Sequence, residues 1–418
     1  EINPTPGYAL GFDADGNVVP VANTGADQTL EWTAADAVVA ADAAAATALV
    51  RSDFASTIGA TLLGWLSPLT GAVIRTVAQV FDNFPAYPEY FGALGDGSTD
   101  DGAALQKLFD TGKSINFRSG ATYITNQQLS LATKSKFKVS GHGATIKAKN
   151  GMTVGGGTRL LYLTDCTDFS FENLILDGNR TNRTPAETTS HLFNLQNCKR
   201  WKLDSVSANN GTTDGFYIGP GDKADRATYC EDWTMLNCFA DNNYRQGASI
   251  INAENGQVVG GAYTNTNGIS PSAGIDVEAD VGTATPSNRG ITFTNVECSG
   301  NDGFGLTTSS RGTPYGIVAQ GCRFSNNDLG GASAGCDMTF LGCTFDTMSV
   351  SGAKALLVQT VATAYVDAIG CYFQDIVSPA AATVDDGGAS GLLRVVTCRF
   401  LNCVANTPSS KTVVFANN

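Results

Sequence analysis

The chain has 418 residues and 43.4 kDa, with 39 acidic and 26 basic side chains giving a net charge of −13. Only 16% of residues are charged, while 42% are apolar and 47 are glycine. That apolar share excludes a disordered chain, and the acidic balance excludes nucleic acid as a partner, because nothing neutralises phosphates.

Residues 1–33 read as short strands and turns, with DADGNV (Asp13–Val18) as a turn signal between apolar runs. Residues 34–89 read as a helical neck or linker. Its Ala-rich part, 34–50, favours a helix but offers little apolar area, so it is expected to pack against copies of itself or the main body. Phe54–Ile74 carries no charge over 21 residues, long enough for a membrane span. Its Ser, Thr and Gly residues and Pro68 favour a packed neck, and no membrane insertion is expected. Gly71–Phe84 suits a second short helix, stopped by Pro85 and Pro88. The chain opens at Glu1 without Met or a basic leader, so it reads as a trimmed piece.

At Tyr90 the texture changes, and residues 90–418 read as one solenoid. It opens with FGALGDGSTDDGAALQKLFD (Phe91–Asp110), a Gly-rich turn and an amphipathic helix with Leu105, Leu108 and Phe109 on one face. Thr99 or Asp100 is placed to cap that helix. The turn lacks the Lys and Ser/Thr of a phosphate loop. From Ser114 the chain is strand, turn, strand.

An internal repeat sets the fold. Cys166, Cys198 and Cys230 recur every 32 residues, each followed three residues later by Phe169, Trp201 or Trp233. A second series runs through Cys298, Cys322, Cys343, Cys371 and Cys398, the last four each two residues before Phe324, Phe345, Phe373 or Phe400. Repeats of 21–32 residues with alternating apolar positions fit the coils of a parallel β-helix, with Cys and Phe filling one core slot per coil. The fold class is all-β. The odd count of 11 Cys then needs no disulfide, and with no CxxC and only His142 and His191 neither metal nor cofactor is expected. Both histidines read as structural. Asn209, Asn210, Asn242 and Asn243 read as a corner ladder.

Four coils align on Gly215, Gly247, Gly274 and Gly303. This register buries Phe216/Ile218, Ala248/Ile250, Ile275/Val277 and Phe304/Leu306. It turns Tyr217/Gly219, Ser249/Ile251, Asp276/Glu278 and Gly305/Thr307 outward. Asp276 and Glu278 then share a face, with Cα atoms about 6.5–7 Å apart at the rise of a strand. Two such carboxyls suit a glycosidic bond, one protonated as acid and one ionised as base or nucleophile. Asp214, two coils away, is a third catalytic candidate. Arg245, Tyr217, Tyr244, Gln246 and Asp302 are the candidate substrate-binding residues; an arginine fork suits an acidic substituent. The alternative is that Asp276 and Glu278 are exposed solubilising residues, and that Asp214 and Asp302 are turn residues.

FGALGDGSTDDGAALQ followed by SINFRSGATYIT resembles the opening of the pectate-lyase-like, right-handed parallel β-helix of bacteriophage tailspikes. RSDFASTIGATLLGW and GAVIRTVAQVF are similar to the neck before it. YRQGASI and NTNGISPSAGIDVE resemble the central coils of such enzymes. The resemblance implies a homotrimer in the virion tail, joined to other tail proteins through its N-terminus. It is made in the host cytoplasm, acts outside the cell, and binds and cuts a bacterial capsule, exopolysaccharide or O-antigen. It carries the catalytic role to Asp276, Glu278 and Asp214, with Arg245 beside them. The adjacent Asp pair of the polygalacturonase-like pattern is absent, and no C-terminal trimer clamp is recognisable in Leu401–Asn418, which reads as cut short. Endo-glycoside hydrolysis is the first expectation, β-elimination the second, and a non-catalytic carbohydrate-binding spike the third.

Overall fold

Apolar–polar alternation in short segments gives strands with one buried face, and such segments stack in parallel when each coil places the same residue type at the same point. The computed structural model describes residues 8–12, 18–22, 64–65, 70–71, 73–153, 158–185, 189–280, 288–309, 314–359, 364–377, 383–385, 392–403 and 413–416. The chain divides into two compact units, Glu1–Phe84 and Pro85–Asn418. In the first, Tyr8–Phe12 pairs antiparallel with Val18–Ala22. The helix Val77–Phe81 falls inside the expected second neck helix and is capped by Thr76 in a reciprocal box with Gln79. The Ala-rich helix expected over 34–50, and Phe54–Ile74 apart from Gly64, Trp65, Thr70, Gly71, Val73 and Ile74, lie outside the described residues. Among the described residues, no helix is long and apolar enough to cross a membrane.

The second unit is a right-handed parallel β-helix. Three strands make a typical coil, as in Phe193–Gln196, Lys199–Asp204 and Ser207–Asn209. The opening helix, Gly102–Asp110, buries Leu105, Leu108 and Phe109 as expected. Asp100 rather than Thr99 serves its first turn, accepting the Gly102 N–H at 3.1 Å. Asp101 turns back to accept from Leu94 and Gly95.

The repeat residues form columns inside the coil stack. Phe169, Trp201 and Trp233 are ladder partners with ring centroids 6.3 and 5.4 Å apart. The column ends where Gly256 pairs with Trp233, because any Cβ there would stand 2.0 Å from the indole. A second column stacks Phe324, Phe345, Phe373 and Phe400 at 5.1, 4.9 and 4.8 Å. All the cysteines are free, and every one except Cys403 is buried. The corner asparagines also stack: Asn242 Nδ2 donates to Asn210 Oδ1 at 2.8 Å, both in the left-handed region that Asn tolerates.

One sheet of ten parallel strands runs from Leu129–Ala132 to Val384–Asp385. Its central register pairs Tyr217 with Ser249, Ser249 with Asp276, and Asp276 with Thr307. The last pairing corrects the alignment on Gly303. Ile275 lies opposite Leu306, not Phe304, so Gly305 continues the glycine column. Each of Gly215, Gly247, Gly274 and Gly305 has the next column member's carbonyl oxygen within 2.8 Å of where its Cβ would stand. Phe304 is half-buried rather than in the core.

Candidate active site

Ile275 and Val277 enter the core, which turns Asp276 and Glu278 outward from the same strand. The expected carboxylate pair is therefore present on one face. Asp276 is only 7% exposed, however, and Glu278 is half-buried. Gln246 explains part of that enclosure. Its Nε2 donates to Asp276 Oδ2 at 2.8 Å, while its Oε1 accepts the Ala273 N–H at 2.9 Å. Burial, reinforced by the charges of Glu278 and Asp214, pushes the Asp276 carboxyl up to about 8. A carboxyl held so is protonated at neutral pH and is a proton donor.

Asp214 has the opposite fate. It is completely buried, and burial alone would raise its pKa, but Arg245 and His191 outweigh that and hold it below the usual carboxylate range. Arg245 grips it with both arms of its fork, Nε to Oδ1 at 2.8 Å and Nη2 to Oδ2 at 2.6 Å. Ser249 Oγ donates to Oδ2 at 2.9 Å, and His191 Nδ1 lies 3.1 Å from the same oxygen. So enclosed, Asp214 is a fixed anion, not a proton carrier.

His191 and Ser249 are the partners that the sequence did not single out. Burial holds His191 below its usual pKa despite Asp214. The neutral ring then directs its Nδ1 proton at Asp214, which leaves Nε2 as the basic nitrogen. The Tyr217 ring stacks on it with centroids 4.4 Å apart and planes 13° from parallel. Burial, with the nearby Asp214 and Asp280 charges, raises the Tyr217 phenol. A signal for His191 existed. The Leu192 N–H bonds to the Asp214 carbonyl and Phe193 pairs with Phe216, so His191 precedes Leu192 as Asp214 precedes Gly215. Leu192 occupies the glycine position, and an alignment on glycines misses it.

Of the candidate binding residues, Arg245, Tyr217 and Gln246 join this cluster, although Arg245 faces Asp214 rather than an open groove. Tyr244 and Asp302 belong elsewhere. The Arg180 guanidinium lies 5.1 Å over the Tyr244 ring and its Nη2 donates to Asn267 Oδ1 and to the Asn267 backbone oxygen at 2.8 and 2.7 Å. Asp302 sits exposed at that corner, its N–H bonded to Thr266. A concavity lined by Asp96, Thr122, Lys147, Lys149 and Asn179 lies in the first coils, away from this cluster. Among the described residues, no group of three or more metal-ligating side chains gathers.

No known family model matches the chain. In sequence it is 26% identical over 186 residues to depolymerase 1, capsule KN3-specific, of Klebsiella phage KN3-1, covering 40% of this chain and 23% of that protein. It is 34% identical over 106 residues to mannuronan C5-epimerase AlgE3 of Azotobacter vinelandii, covering 22% and 6%. The chain thus spans less than a quarter of either curated relative. In structure it is similar to the tailspike of E. coli bacteriophage HK620, with a TM-score of 0.62, 12% identity and coverage of 88% and 70%. The A-module of A. vinelandii mannuronan C-5 epimerase AlgE4 gives 0.56, 16%, and 79% and 99%. Geobacillus virus E2 ORF18 gives 0.53, 15%, and 81% and 63%. The chain therefore resembles a phage capsule depolymerase in sequence, and in fold it is a right-handed parallel β-helix of the type seen in a phage tailspike.

Proposed function

We propose that this protein is a phage tailspike depolymerase that cleaves a bacterial surface polysaccharide by endo-glycoside hydrolysis. The observation that carries this reading is the pair of outward carboxylates on Ile275–Glu278, one enclosed and one more open, beside the anchored Asp214. Asp276 gives its proton to the glycosidic oxygen as the C–O bond breaks. Glu278, as carboxylate, takes a proton from the attacking water or attacks the anomeric carbon itself. Burial, with the charges of Glu278 and Asp214 behind it, keeps Asp276 protonated. The protein would act as a homotrimer in the virion tail. The sequence likeness to a capsule depolymerase supports the substrate class. In the test, Asp276→Asn or Glu278→Gln abolishes reducing-end release from purified capsular polysaccharides while binding persists. Both variants cutting at the wild-type rate would end this assignment.

A second reading, polysaccharide lyase, is favoured by the stacked His191–Tyr217 pair and by the likeness to mannuronan C5-epimerases. His191 Nε2 would remove the proton next to a uronate carboxyl. Product masses decide: hydrolysis adds one water per cut, elimination adds none and leaves an ultraviolet-absorbing double bond. A spike that binds the polymer without shortening it would show neither.

A further inference from the structure

The outer face of the ten-stranded sheet, read above as the polysaccharide groove, carries a second chemical feature upstream of the carboxylates. In the outward column, Tyr162, Asn194 and Tyr217 are successive ladder partners. Asn194 is completely buried, yet neither its Oδ1 nor its Nδ2 has a hydrogen-bond partner. A buried amide left so costs stability. Beside it, the Arg159 guanidinium lies 4.3 Å over the Tyr162 ring. The Tyr162 hydroxyl donates to Gln196 Oε1 at 2.5 Å.

We propose that Arg159, Tyr162 and Asn194 form a subsite for an acidic sugar residue of the polymer. This rests on the reading of the groove as a polysaccharide site. Tyr162 is four strands from Asp276 in the sheet, about 19 Å at the usual strand spacing, so one chain lying along the groove reaches both. The planar fork of Arg159 takes a sugar carboxylate in two parallel hydrogen bonds. The aromatic ring takes the apolar face of a sugar, and the Asn194 amide, uncovered when the Tyr162 ring yields, takes a pair of hydroxyls. A chain of net charge −13 needs local cationic groups to hold an acidic polymer, and Arg159, over the Tyr162 ring, is one.

Binding is measured by calorimetry in the Asp276→Asn background, so that no cleavage intervenes. The probes are alginate, polygalacturonate, hyaluronate and xanthan, each beside its carboxyl-reduced form. At least one acidic polymer is expected to bind tenfold or more tightly than its reduced form. Arg159→Ala removes that preference and Arg159→Lys restores it in part. Asn194→Leu gives effects of opposite sign, a higher melting temperature and weaker binding. A merely structural amide would raise the melting temperature and leave binding unchanged. No binding to any acidic polymer, equal binding to reduced forms, or a preference surviving in Arg159→Ala overturns the proposal. Cleavage persisting in Asp276→Asn with the acid preference intact would overturn the catalytic reading of Asp276 and leave this subsite standing.

Discussion

At the residue scale, two carboxyl groups two coils apart have opposite protonation states because their partners differ. Asp214 meets a guanidinium, a hydroxyl and an imidazole; Asp276 meets an amide. Removing Arg245 leaves a buried anion uncompensated, and such losses cost about 3–5 kcal/mol. Arg245→Ala is therefore expected to lower the calorimetric melting temperature sharply and to abolish cleavage. The pH dependence follows with its sign. Asp276 is raised from 3.8 to about 8, so the native state holds a proton that the unfolded chain has released between those values. Its contribution to stability is full below about pH 4 and is lost as pH rises through about 8. Asp214 is depressed, so its contribution is full above the ordinary carboxylate range and is lost only in strong acid. Melting temperature should accordingly fall between pH 4 and 8 in the wild type, and Asp276→Asn should remove part of that slope. If Asp276 is the acid, kcat/KM also declines above about pH 8.

At the scale of the strand, small residues make room for the site. Tyr217 lies along its own strand, and a Cβ on Gly219 would stand 2.4 Å from the Tyr217 ring. Gly219→Ala is expected to displace that ring from His191, cutting activity several-fold while changing melting temperature little, since a side-chain end can move. Circular dichroism melts beside a cleavage assay check this. Gly247 is different, because a Cβ there would stand 2.4 Å from the Gly274 carbonyl oxygen. Backbone cannot step aside, so Gly247→Ala is expected to destabilise the coil itself.

At the scale of the whole solenoid, stability is a sum of neighbour contacts between coils. The aromatic and cysteine columns supply many of them. Cysteine acts there as a small buried hydrophobe whose thiol reaches a carbonyl, as Cys198 Sγ does to Leu163 O at 3.7 Å. All 11 are free, so added dithiothreitol should leave the melting temperature unchanged; a drop of several degrees would reveal a disulfide.

The sequence by itself determined the coil, its core columns and the outward pair Asp276 and Glu278. Those follow from alternation and from residue types repeated at coil spacing, both of which are local. The tertiary structure decided what depends on corner lengths, because corners differ from coil to coil and absorb residues without disturbing the strands. It moved the glycine column from Gly303 to Gly305, turned Tyr244 and Asp302 toward Arg180, and brought His191 beneath Asp214. It also decided which carboxyl keeps its proton. That depends on burial and on partners from other coils, which no single stretch of chain contains.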